Sequence, residues 1–361
     1  MELVIPENET VTIAILAKEK AHCLPIFLRC IENQTWPKKK TRVYIRTNNN
    51  KDETAKILSN WVSEKKDSYL EIYFDPSDVE EKVENYAPHE WNSLRFRVLG
   101  KIRQESIEWA RNRNSHYFVI DCDNFITPET LERLYWTNLP VVGPFLPSET
   151  LYANYHFKVD ARGYYADHHQ YKSIYFREVR GLIEVDVIHC TYFIRKEVLS
   201  EIVYDDDSSR HEYVIFSDNL RKKKIPQYID NRHDYGFLTF ADTFQQLLQV
   251  PRIHSLIKPE DLKSFLKLNA SKVCTVDKKE DVCTVDKKED VCTVDNKEDV
   301  CTVDKKEDVC TVDKKEDVCA VDKKEDVCAV DKKEDVCTVD KKEDVCAVDK
   351  KEDVCTVDKK E

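Results

Sequence analysis

The sequence predicts an α/β domain, a mostly parallel sheet flanked by helices, followed by a repetitive tail. Short apolar runs rich in β-branched and aromatic residues alternate with longer runs at helical spacing, and this order is typical of parallel sheets. From about residue 271 a nine-residue unit repeats to the last residue. We therefore divide the 361 residues into one domain, 1–270, and a tail, 271–361.

Strands and helices alternate regularly in the first half of the domain. The expected strands are at 10–18, 42–47, 70–74 and 117–120, and the expected helices at 23–33, 52–66 and 93–113. Residues 75–92 are acidic and irregular, which predicts a loop. After the strand at 117–120, Thr127 is expected to cap a helix that has Pro128 at its first position.

The second half of the domain has a less regular pattern. It predicts strands at 140–146, 185–194 and 227–240, and helices at 211–221 and 258–268. Between the first two strands, residues 148–180 are rich in Tyr, Phe and His. Two interpretations of that segment stay open: a binding surface, or aromatic packing within hairpins.

The tail repeats the unit Val-Cys-Thr/Ala-Val-Asp-Lys-Lys-Glu-Asp and contains most of the acidic excess. The repeats themselves, residues 273–361, have 19 Lys against 29 Asp and Glu, so they carry −10 of the total formal charge of −12. The domain is therefore nearly neutral, which argues against nucleic acid as a partner. Ten of the 14 cysteines lie in the tail without a Cys-x-x-Cys pair, so a zinc site is not expected there.

A nine-residue period suits neither regular structure. Nine residues advance a helix by about 900°, so successive units face opposite sides, and an odd period also alternates the faces of a strand. We therefore predict a poorly structured tail without its own core. An isolated helix with many Glu–Lys pairs is the alternative.

Neither a secretory signal nor a membrane span is apparent. The N-terminal residues Met1-Glu-Leu-Val-Ile-Pro-Glu lack a basic start, and no apolar run approaches the roughly 18 residues of a membrane span. The sequence by itself therefore predicts a cytoplasmic protein made in a reducing compartment. Its oligomeric state stays open, with a homodimer as one possibility.

Two carboxylates follow the strand at 117–120, at the edge where parallel sheets bind ligands. Asp121 and Asp123 are one residue apart and repel each other unless a cation lies between them. Oxygen ligands suit Mg²⁺ or Mn²⁺, which also bind substrate phosphates. An Asp-x-Asp tripeptide is weak evidence alone, because a solvated turn with two acids has the same sequence.

Nine short segments, found in one order, resemble a known family. They are Val11-Thr-Ile-Ala-Ile-Leu-Ala-Lys, His22-Cys-Leu-Pro-Ile-Phe-Leu, Trp91-Asn-Ser-Leu-Arg, Lys101-Ile-Arg-Gln, Phe118-Val-Ile-Asp-Cys-Asp-Asn, Tyr152-Ala-Asn-Tyr, Gly163-Tyr-Tyr, His189-Cys-Thr-Tyr-Phe-Ile and Asp234-Tyr-Gly-Phe-Leu. Together they resemble the collagen glycosyltransferases of the procollagen galactosyltransferase type, in glycosyltransferase family 25. The resemblance covers about residues 10–250 and excludes the tail. Giant DNA viruses also carry such proteins, so a viral homologue is one source that it allows.

The resemblance implies a GT-A glycosyltransferase fold, with a nucleotide-sugar half at about 10–135 and an acceptor half at 136–270. It implies a UDP-hexose donor, UDP-galactose or UDP-glucose, with Mn²⁺ or Mg²⁺. The implied acceptor is hydroxylysine or galactosyl-hydroxylysine on a collagen-like polypeptide. Luminal relatives carry signal and retention sequences for the endoplasmic reticulum. This chain shows neither, so the expected location is cytoplasmic, in a host cell or a virion.

The resemblance also assigns the donor site. Asp121 and Asp123 match the metal-binding pair, with Cys122 between them, and His254 is our expected third metal ligand. Lys101 is expected to meet a phosphate or the base edge, although the cations Arg95, Arg97, Lys101 and Arg103 also fit a solvated helix face. The residues expected around the uridine lie at the ends of the first two strands: Ala17, Lys18, Thr47, Asn48 and Asn49.

Two acidic positions are candidates for the acceptor side. Glu212 aligns with an acidic pair of the family and would serve as the base of an inverting transfer. Asp205, Asp206 and Asp207 resemble an acidic cluster of collagen glucosyltransferase domains. The sequence leaves open whether galactose or glucose moves, and whether the anomeric configuration inverts or is retained.

Three functional classes thus remain. The first is a metal-dependent UDP-sugar transferase acting on collagen-like chains or on another glycan. The second is a catalytically silent interaction protein that uses the aromatic segment as a binding face. The third is a nucleotide hydrolase or nucleotidyltransferase. With only five Gly in the chain, the Gly-rich phosphate loop expected of that third class is absent.

Overall fold

The computed structural model describes residues 4–81, 83 and 92–256, and ten short strands within the repeats. The chain divides into two compact units, Met1–Ile257 and Lys258–Glu361. The helix expected at 258–268 lies outside the described residues, as do residues 82 and 84–91 of the expected loop. The segment that begins at Trp91 is described only from Asn92 onward.

The first unit contains fourteen strands and eight helices among its described residues. The strands are β1 Val11–Ala17, β2 Thr41–Thr47, β3 Glu71–Asp75, β4 His116–Ile120, β5 Asn124–Ile126, β6 Val141–Pro144, β7 Tyr155–His156, β8 Lys158–Val159, β9 Tyr165–Ala166, β10 Leu182–Val185, β11 Val187–Ile188, β12 Thr191–Ile194, β13 Gln227–Asp230 and β14 Gly236–Leu238. The helices are α1 Leu24–Glu32, α2 Thr54–Lys65, α3 Ser93–Arg111, α4 Thr130–Trp136, α5 His169–Tyr175, α6 Glu212–Lys222, α7 Phe244–Leu248 and α8 Ile253–Leu256.

Eight strands form one sheet in the order β10-β13-β6-β12-β4-β1-β2-β3. On one side, β3, β2, β1 and β4 are all parallel. On the other side, β12 is antiparallel to both β4 and β6. The predicted fold class, a mostly parallel sheet flanked by helices, is confirmed. The carboxyl ends of β1, β2 and β4 consequently meet at one edge of the sheet.

Burial explains why these runs form the central strands. Every residue of β4 is buried, as are six of the seven in β1, so these strands have apolar neighbours on both faces. One large core cluster joins Tyr117 of β4 to Tyr192 of β12 and Phe216 of α6. Helix α3 fits closely against this core, because a Cβ at Gly100 would lie 2.9 Å from the Tyr204 carbonyl oxygen.

The strand expected at 185–194 is wrong as a single element. The chain turns sharply between β11 and β12, where Cys190 has a left-handed backbone with φ of 62°. The Thr191 amide donates to the His189 carbonyl across this turn at 2.6 Å. Apolar residues continue through the bend because both sides of it are buried, so the hydropathy pattern does not reveal it.

Two further boundaries differ from expectation. The strand expected at 227–240 is two strands, and β14 leaves the main sheet to pair with β5. Strand β5 ends at Ile126, directly before the expected helix cap Thr127, and α4 begins only at Thr130. The Thr127 hydroxyl accordingly contacts the Thr130 hydroxyl at 3.0 Å and does not cap the helix.

The second unit contains one four-residue strand in each repeat. These are β15 Val273–Val276, β16 Val282–Val285, β17 Val291–Val294, β18 Val300–Val303, β19 Val309–Val312, β20 Val318–Val321, β21 Val327–Val330, β22 Val336–Val339, β23 Val345–Val348 and β24 Val354–Val357. Alternate repeats pair in parallel, which gives one sheet of odd-numbered and one of even-numbered strands. Because the period is odd, equivalent side chains of successive repeats point to opposite faces of an extended chain. Each strand therefore pairs with the strand two repeats later, where the same faces match. At these positions the backbone is extended, which differs from the isolated helix that was the alternative for the tail.

Long apolar helices are missing from the described part of the chain. The longest helix there, α3, has 19 residues and carries many charges. No helix among the described residues is both long and apolar enough to cross a membrane.

Candidate active site

Asp121 and Asp123 directly follow the buried strand β4 at the carboxyl edge of the sheet. Each carboxylate is about 29% exposed. Each also has its own cation: Arg103 Nη2 donates to Asp121 Oδ1 at 2.9 Å, and Lys20 Nζ donates to Asp123 Oδ2 at 2.8 Å. The two carboxylates are therefore individually balanced by cations from two different segments.

Lys20 lies in the loop between β1 and α1. Side chains at and just before the start of α2 hold this loop in place. The Lys20 amide donates to Thr54 Oγ1 at 2.7 Å, and the Ala21 amide to Asp52 Oδ2 at 3.0 Å. Asp123 raises the pKa of Lys20 although burial opposes this, so the ammonium stays charged. The sequence analysis missed Lys20. The available signal was its position just beyond β1, beside the end of β4 in a parallel sheet.

Arg103 lies on the buried face of α3, with a side chain only 4% exposed. Gly100, Ile107 and Ala110, at i−3, i+4 and i+7, are also buried. The interpretation of the α3 cations as a solvated face is therefore wrong for Arg103. Arg103 lies four residues before Ile107 and seven before Ala110, so helical spacing already placed it on the same face as these apolar residues.

Glu212, at the start of α6, lies on the other side of Arg103. Its Oε1 is 3.3 Å from Arg103 Nε, and its side chain is 6% exposed. Burial raises the pKa of Glu212, and Asp121 adds to this, whereas Arg103 opposes it. The structure thus joins Asp121, Arg103 and Glu212 in one charged row, which the sequence did not indicate.

The donor set fits a divalent cation. Burial raises the pKa of Asp121, and the neighbouring Asp123 charge adds to this, while Arg103 lowers it. Carboxylate oxygens that repel each other at an open sheet edge are suitable ligands for Mg²⁺ or Mn²⁺. Asp121 and Asp123 would hold such an ion together with water and ligand oxygens.

A third protein ligand is not assembled. Within the described ranges, no group of three or more His, Cys, Asp or Glu side chains could hold a metal ion. The expected ligand His254 lies on α8, where its Nε2 is 2.8 Å from the Leu248 carbonyl oxygen. The structure therefore does not bring His254 together with Asp121 and Asp123.

The expected uridine residues do meet at the ends of β1 and β2. The Glu19 amide donates to Asn50 Oδ1 at 2.9 Å, which joins the two strand ends. Asn49 has a left-handed backbone with φ of 46°, and its amide donates to Asp78 Oδ1 at 2.6 Å. Ala17 and Thr47 are buried strand ends.

Two polar atoms at this strand edge have no hydrogen-bond partner among the described residues. They are Lys18 Nζ and Asn48 Oδ1, and both are buried. Lys18 Nζ is also 3.5 Å from Glu19 Oε2. A buried polar atom without a hydrogen-bond partner is costly. Both atoms are therefore suited to meet a polar ligand.

Two expected donor-site residues lie elsewhere. Lys101 is on the exposed face of α3, and its Nζ is 3.3 Å from Glu81 Oε1, so it is not brought to the acids. Arg103, two residues later, is the α3 cation that contacts Asp121. The Cys122 side chain is only 1% exposed, and burial raises the pKa of its thiol, so this side chain packs in the core.

The three consecutive acids form hydrogen bonds within their own loop. Asp205 Oδ1 accepts from the Asp207 amide at 3.1 Å. Asp206 Oδ2 accepts from Arg210 Nη2 at 2.6 Å, and Arg210 also binds Asp218 of α6. Burial opposes the effect, but hydrogen bonds from Ser208 and Arg210 lower the pKa of Asp206. These contacts anchor the loop before α6.

Beside the acids lies a group of His and Tyr side chains that the sequence analysis did not single out individually. The Asp121 amide donates to the Cys190 carbonyl at 3.1 Å. His189 Nδ1 is 2.9 Å from Cys190 Sγ, and its ring centroid is 5.2 Å from that of His156. The left-handed turn at Cys190 thus connects the acids to an imidazole pair.

The mixed, mostly parallel sheet flanked by helices agrees with the GT-A glycosyltransferase fold that was expected. The family model described as "Glycosyltransferase family 25, N-terminal domain" matches residues 8–258. Because this match covers most of the chain, the chain belongs to glycosyltransferase family 25.

Individual relatives agree with that membership. Human procollagen galactosyltransferase 2 is 31% identical over 253 residues, which are 67% of this chain and 40% of the relative. Human inactive glycosyltransferase 25 family member 3 is 26% identical over 254 residues, 68% of this chain and 43% of the relative. This chain thus spans about two fifths of the length of these curated relatives.

Two solved structures illustrate the distant structural similarity of this chain to known proteins. S. aureus TarS 1-349 in complex with UDP-GlcNAc is 13% identical, with a TM-score of 0.43 over 72% of this chain and 65% of that one. The mannosyltransferase PcManGT from Pyrobaculum calidifontis, in complex with GDP-Man and Mn²⁺, is 12% identical, with a TM-score of 0.40 over 64% of this chain and 56% of that one.

Proposed function

We propose that this domain transfers a hexose from a UDP-sugar to hydroxylysine or galactosyl-hydroxylysine of collagen-like chains, with a divalent metal ion. The observation that carries the proposal is the pair Asp121 and Asp123, each balanced by a separate cation at the carboxyl edge of the sheet. The acceptor class rests on the similarity to procollagen galactosyltransferases.

Each part of the edge has a role in this proposal. Asn48 Oδ1 and Lys18 Nζ would bind the uridine, because they are buried without hydrogen-bond partners in the described chain. Asp121 and Asp123 would hold Mn²⁺ or Mg²⁺, which supplies a Lewis acid for the diphosphate. Lys20 and Arg103 add positive charge where the leaving diphosphate develops negative charge.

For Glu212 we propose a role other than that of the expected base. Its side chain is 6% exposed and lies against Arg103, so no acceptor hydroxyl reaches it without displacing Arg103. We propose that Glu212 positions Arg103 for Asp121. The acids at 205–207 are proposed to contact the acceptor from the exposed part of their loop, since Asp206 and Asp207 are exposed.

The test uses the full chain with UDP-galactose and UDP-glucose, Mn²⁺, and a collagen peptide before and after galactosylation. Transfer and UDP binding should both fall by at least about 100-fold in Asp121→Asn/Asp123→Asn, because oxygen ligands and negative charge are lost. Asp167→Asn is the matched control, an exposed acid of the second half. Calorimetry of UDP with Mn²⁺ is the second readout.

The rival function is a silent interaction protein, which the name of one relative, "Inactive glycosyltransferase 25 family member 3", brings into consideration. Collagen peptide binding without UDP binding or transfer would favour that rival and contradict our proposal. UDP binding that is unchanged in the double variant would contradict the assigned site.

A further inference from the structure

A second group of residues lies next to the acids, and we call it the imidazole cluster: His156, His189, Tyr152, Tyr213 and Phe240. The His189 ring centroid is 5.2 Å from that of His156, 5.3 Å from that of Tyr213 and 5.6 Å from that of Tyr152. The Tyr152 and Phe240 ring centroids are 5.3 Å apart. These residues come from four separate segments of the second half.

Two nitrogen atoms at the base of the cluster lack partners. His156 Nδ1 and His189 Nε2 are buried and have no hydrogen-bond partner in the described part of the molecule. The residues themselves are only 8% and 3% exposed. Leaving a buried polar group unsatisfied costs about 1–3 kcal/mol. Two such atoms, in rings whose centroids are 5.2 Å apart, therefore indicate a site for a polar ligand.

Cys190 engages one of the two nitrogen atoms of the His189 ring. His189 Nδ1 lies 2.9 Å from Cys190 Sγ, so only Nε2 is left without a partner among the described residues. A neutral imidazole carries one proton, so Nε2 is a donor or an acceptor according to the tautomer. A sugar hydroxyl can both donate and accept, so it suits either tautomer.

The rim of the cluster is aromatic and accessible. Tyr152 is 37% exposed and Phe240 55% exposed, although both are large apolar rings. Phe240 follows Thr239, whose amide donates to the Asp123 carbonyl at 3.1 Å, so the rim also borders the acids. Aromatic faces pack well against the C–H face of a sugar ring, and sites of this kind combine apolar walls with a few polar groups.

Charge excludes other ligand classes. Burial lowers the pKa of His156 to about 4 and that of His189 well below its usual value, so both imidazoles are neutral at pH 7. A neutral base offers no ion pair to a carboxylate or a phosphate. The carboxylate that faces this side, Glu212, is already engaged by Arg103. A neutral polyhydroxylated ring fits better than any charged group.

We propose that the imidazole cluster binds a neutral hexopyranose ring next to Asp121 and Asp123, with a sugar hydroxyl forming a hydrogen bond with His189 Nε2. The proposal rests on the function proposed above and adds to it the residues that recognise the sugar. The ring belongs either to the hexose of the donor or to the galactosyl group of the acceptor, and the experiment separates these sources.

The experiment measures hexose binding separately from nucleotide binding. Calorimetry with Mn²⁺ compares UDP, UDP-galactose and UDP-glucose, and saturation-transfer NMR measures methyl β-galactoside with and without UDP. The variants are His156→Phe, His189→Phe and Tyr152→Ala. His156→Gln and His189→Gln keep a hydrogen-bonding group and should restore part of the binding. His233→Leu and Phe176→Ala are the controls, because both residues are exposed and outside the cluster.

We expect the three variants to weaken hexose binding at least about tenfold, while the Kd of UDP stays within about twofold. A loss confined to UDP-hexoses assigns the ring to the donor, and a loss confined to the galactoside assigns it to the acceptor. The inference is overturned if the unaltered chain binds neither hexose form better than UDP alone, or if the cluster variants behave like the two controls. Absence of UDP binding by the unaltered chain would instead overturn the proposed function. The NMR measurement without UDP does not depend on UDP binding, so it still tests the imidazole cluster in that case.

Discussion

We call Asp121 and Asp123 the acidic edge. The acidic edge and the imidazole cluster meet at Cys190, but only the acids have ionic partners within the described protein. At the acidic edge, each carboxylate has a cation within 3 Å. In the imidazole cluster, two buried nitrogen atoms have no partner among the described residues. In the first region, the negative charge of both carboxylates is therefore already balanced before a metal ion or phosphate binds. In the second region, two buried nitrogen atoms remain available to a polar ligand.

Among the variants that test this comparison, Arg103→Met should have the largest effect on the free energy of unfolding. Arg103→Met leaves Asp121 and Glu212 without their shared cation, and breaking a buried ion pair costs about 3–5 kcal/mol. Chemical denaturation of the full chain, followed by near-UV circular dichroism, measures the change. In Arg103→Met/Glu212→Leu the second buried charge is also removed, so part of the stability should return. Equal stability of the single variant and the unaltered chain would mean that the acidic edge does not depend on this pair.

A pH experiment should separate the two regions. The pKa of His156 falls from 6.5 to about 4 on folding, so the unfolded chain binds the proton more readily. The associated stability is complete above pH 6.5, declines as the pH falls, and is lost at about pH 4. It amounts to at most about 3 kcal/mol. His156→Phe should flatten the stability profile between these pH values, whereas the exposed His233→Leu should leave it unchanged. An unchanged slope in His156→Phe would contradict the neutral, buried imidazole.

Lys20 should have a smaller effect of opposite sign. Its ammonium occupies Asp123 Oδ2 and repels an incoming cation. Lys20→Met should therefore tighten Mn²⁺ binding without nucleotide by about tenfold, on the order of 1.4 kcal/mol. Titration of free Mn²⁺ by electron paramagnetic resonance measures this, with Lys101→Met as the control because Lys101 pairs with Glu81. Weaker binding in Lys20→Met would show that Lys20 helps to form the metal site.

The smallest effect should come from His254. Its imidazole hydrogen-bonds the Leu248 carbonyl and is not brought to the acids. His254→Ala should change the Mn²⁺ affinity by less than about twofold in the same titration. A loss of tenfold or more would restore our first expectation that His254 is the third ligand, since removal of a direct ligand weakens metal binding at least as much as loss of a supporting residue.

Local patterns were sufficient for the parts of the fold that depend on neighbouring residues. The strands around Ile15 and Val119 and the helix around Trp61 follow from the spacing of apolar side chains. The positions of Asp121 and Asp123 at the carboxyl end of β4 follow from the same pattern. The break at Cys190 could not be read this way, because the burial of both flanking strands keeps the hydropathy constant through the turn.

The sequence by itself thus determined the fold class, the Asp-x-Asp edge and the family resemblance. The tertiary structure alone decided which cations face the acids, that Glu212 is buried, and that His156 lies beside His189. The reason is physical. Apolar spacing encodes which side of an element is buried, whereas a side-chain pair such as Lys20 with Asp123 joins residues 103 positions apart. Such pairs depend on strand order and loop anchoring, and these are fixed only when the whole sheet has formed.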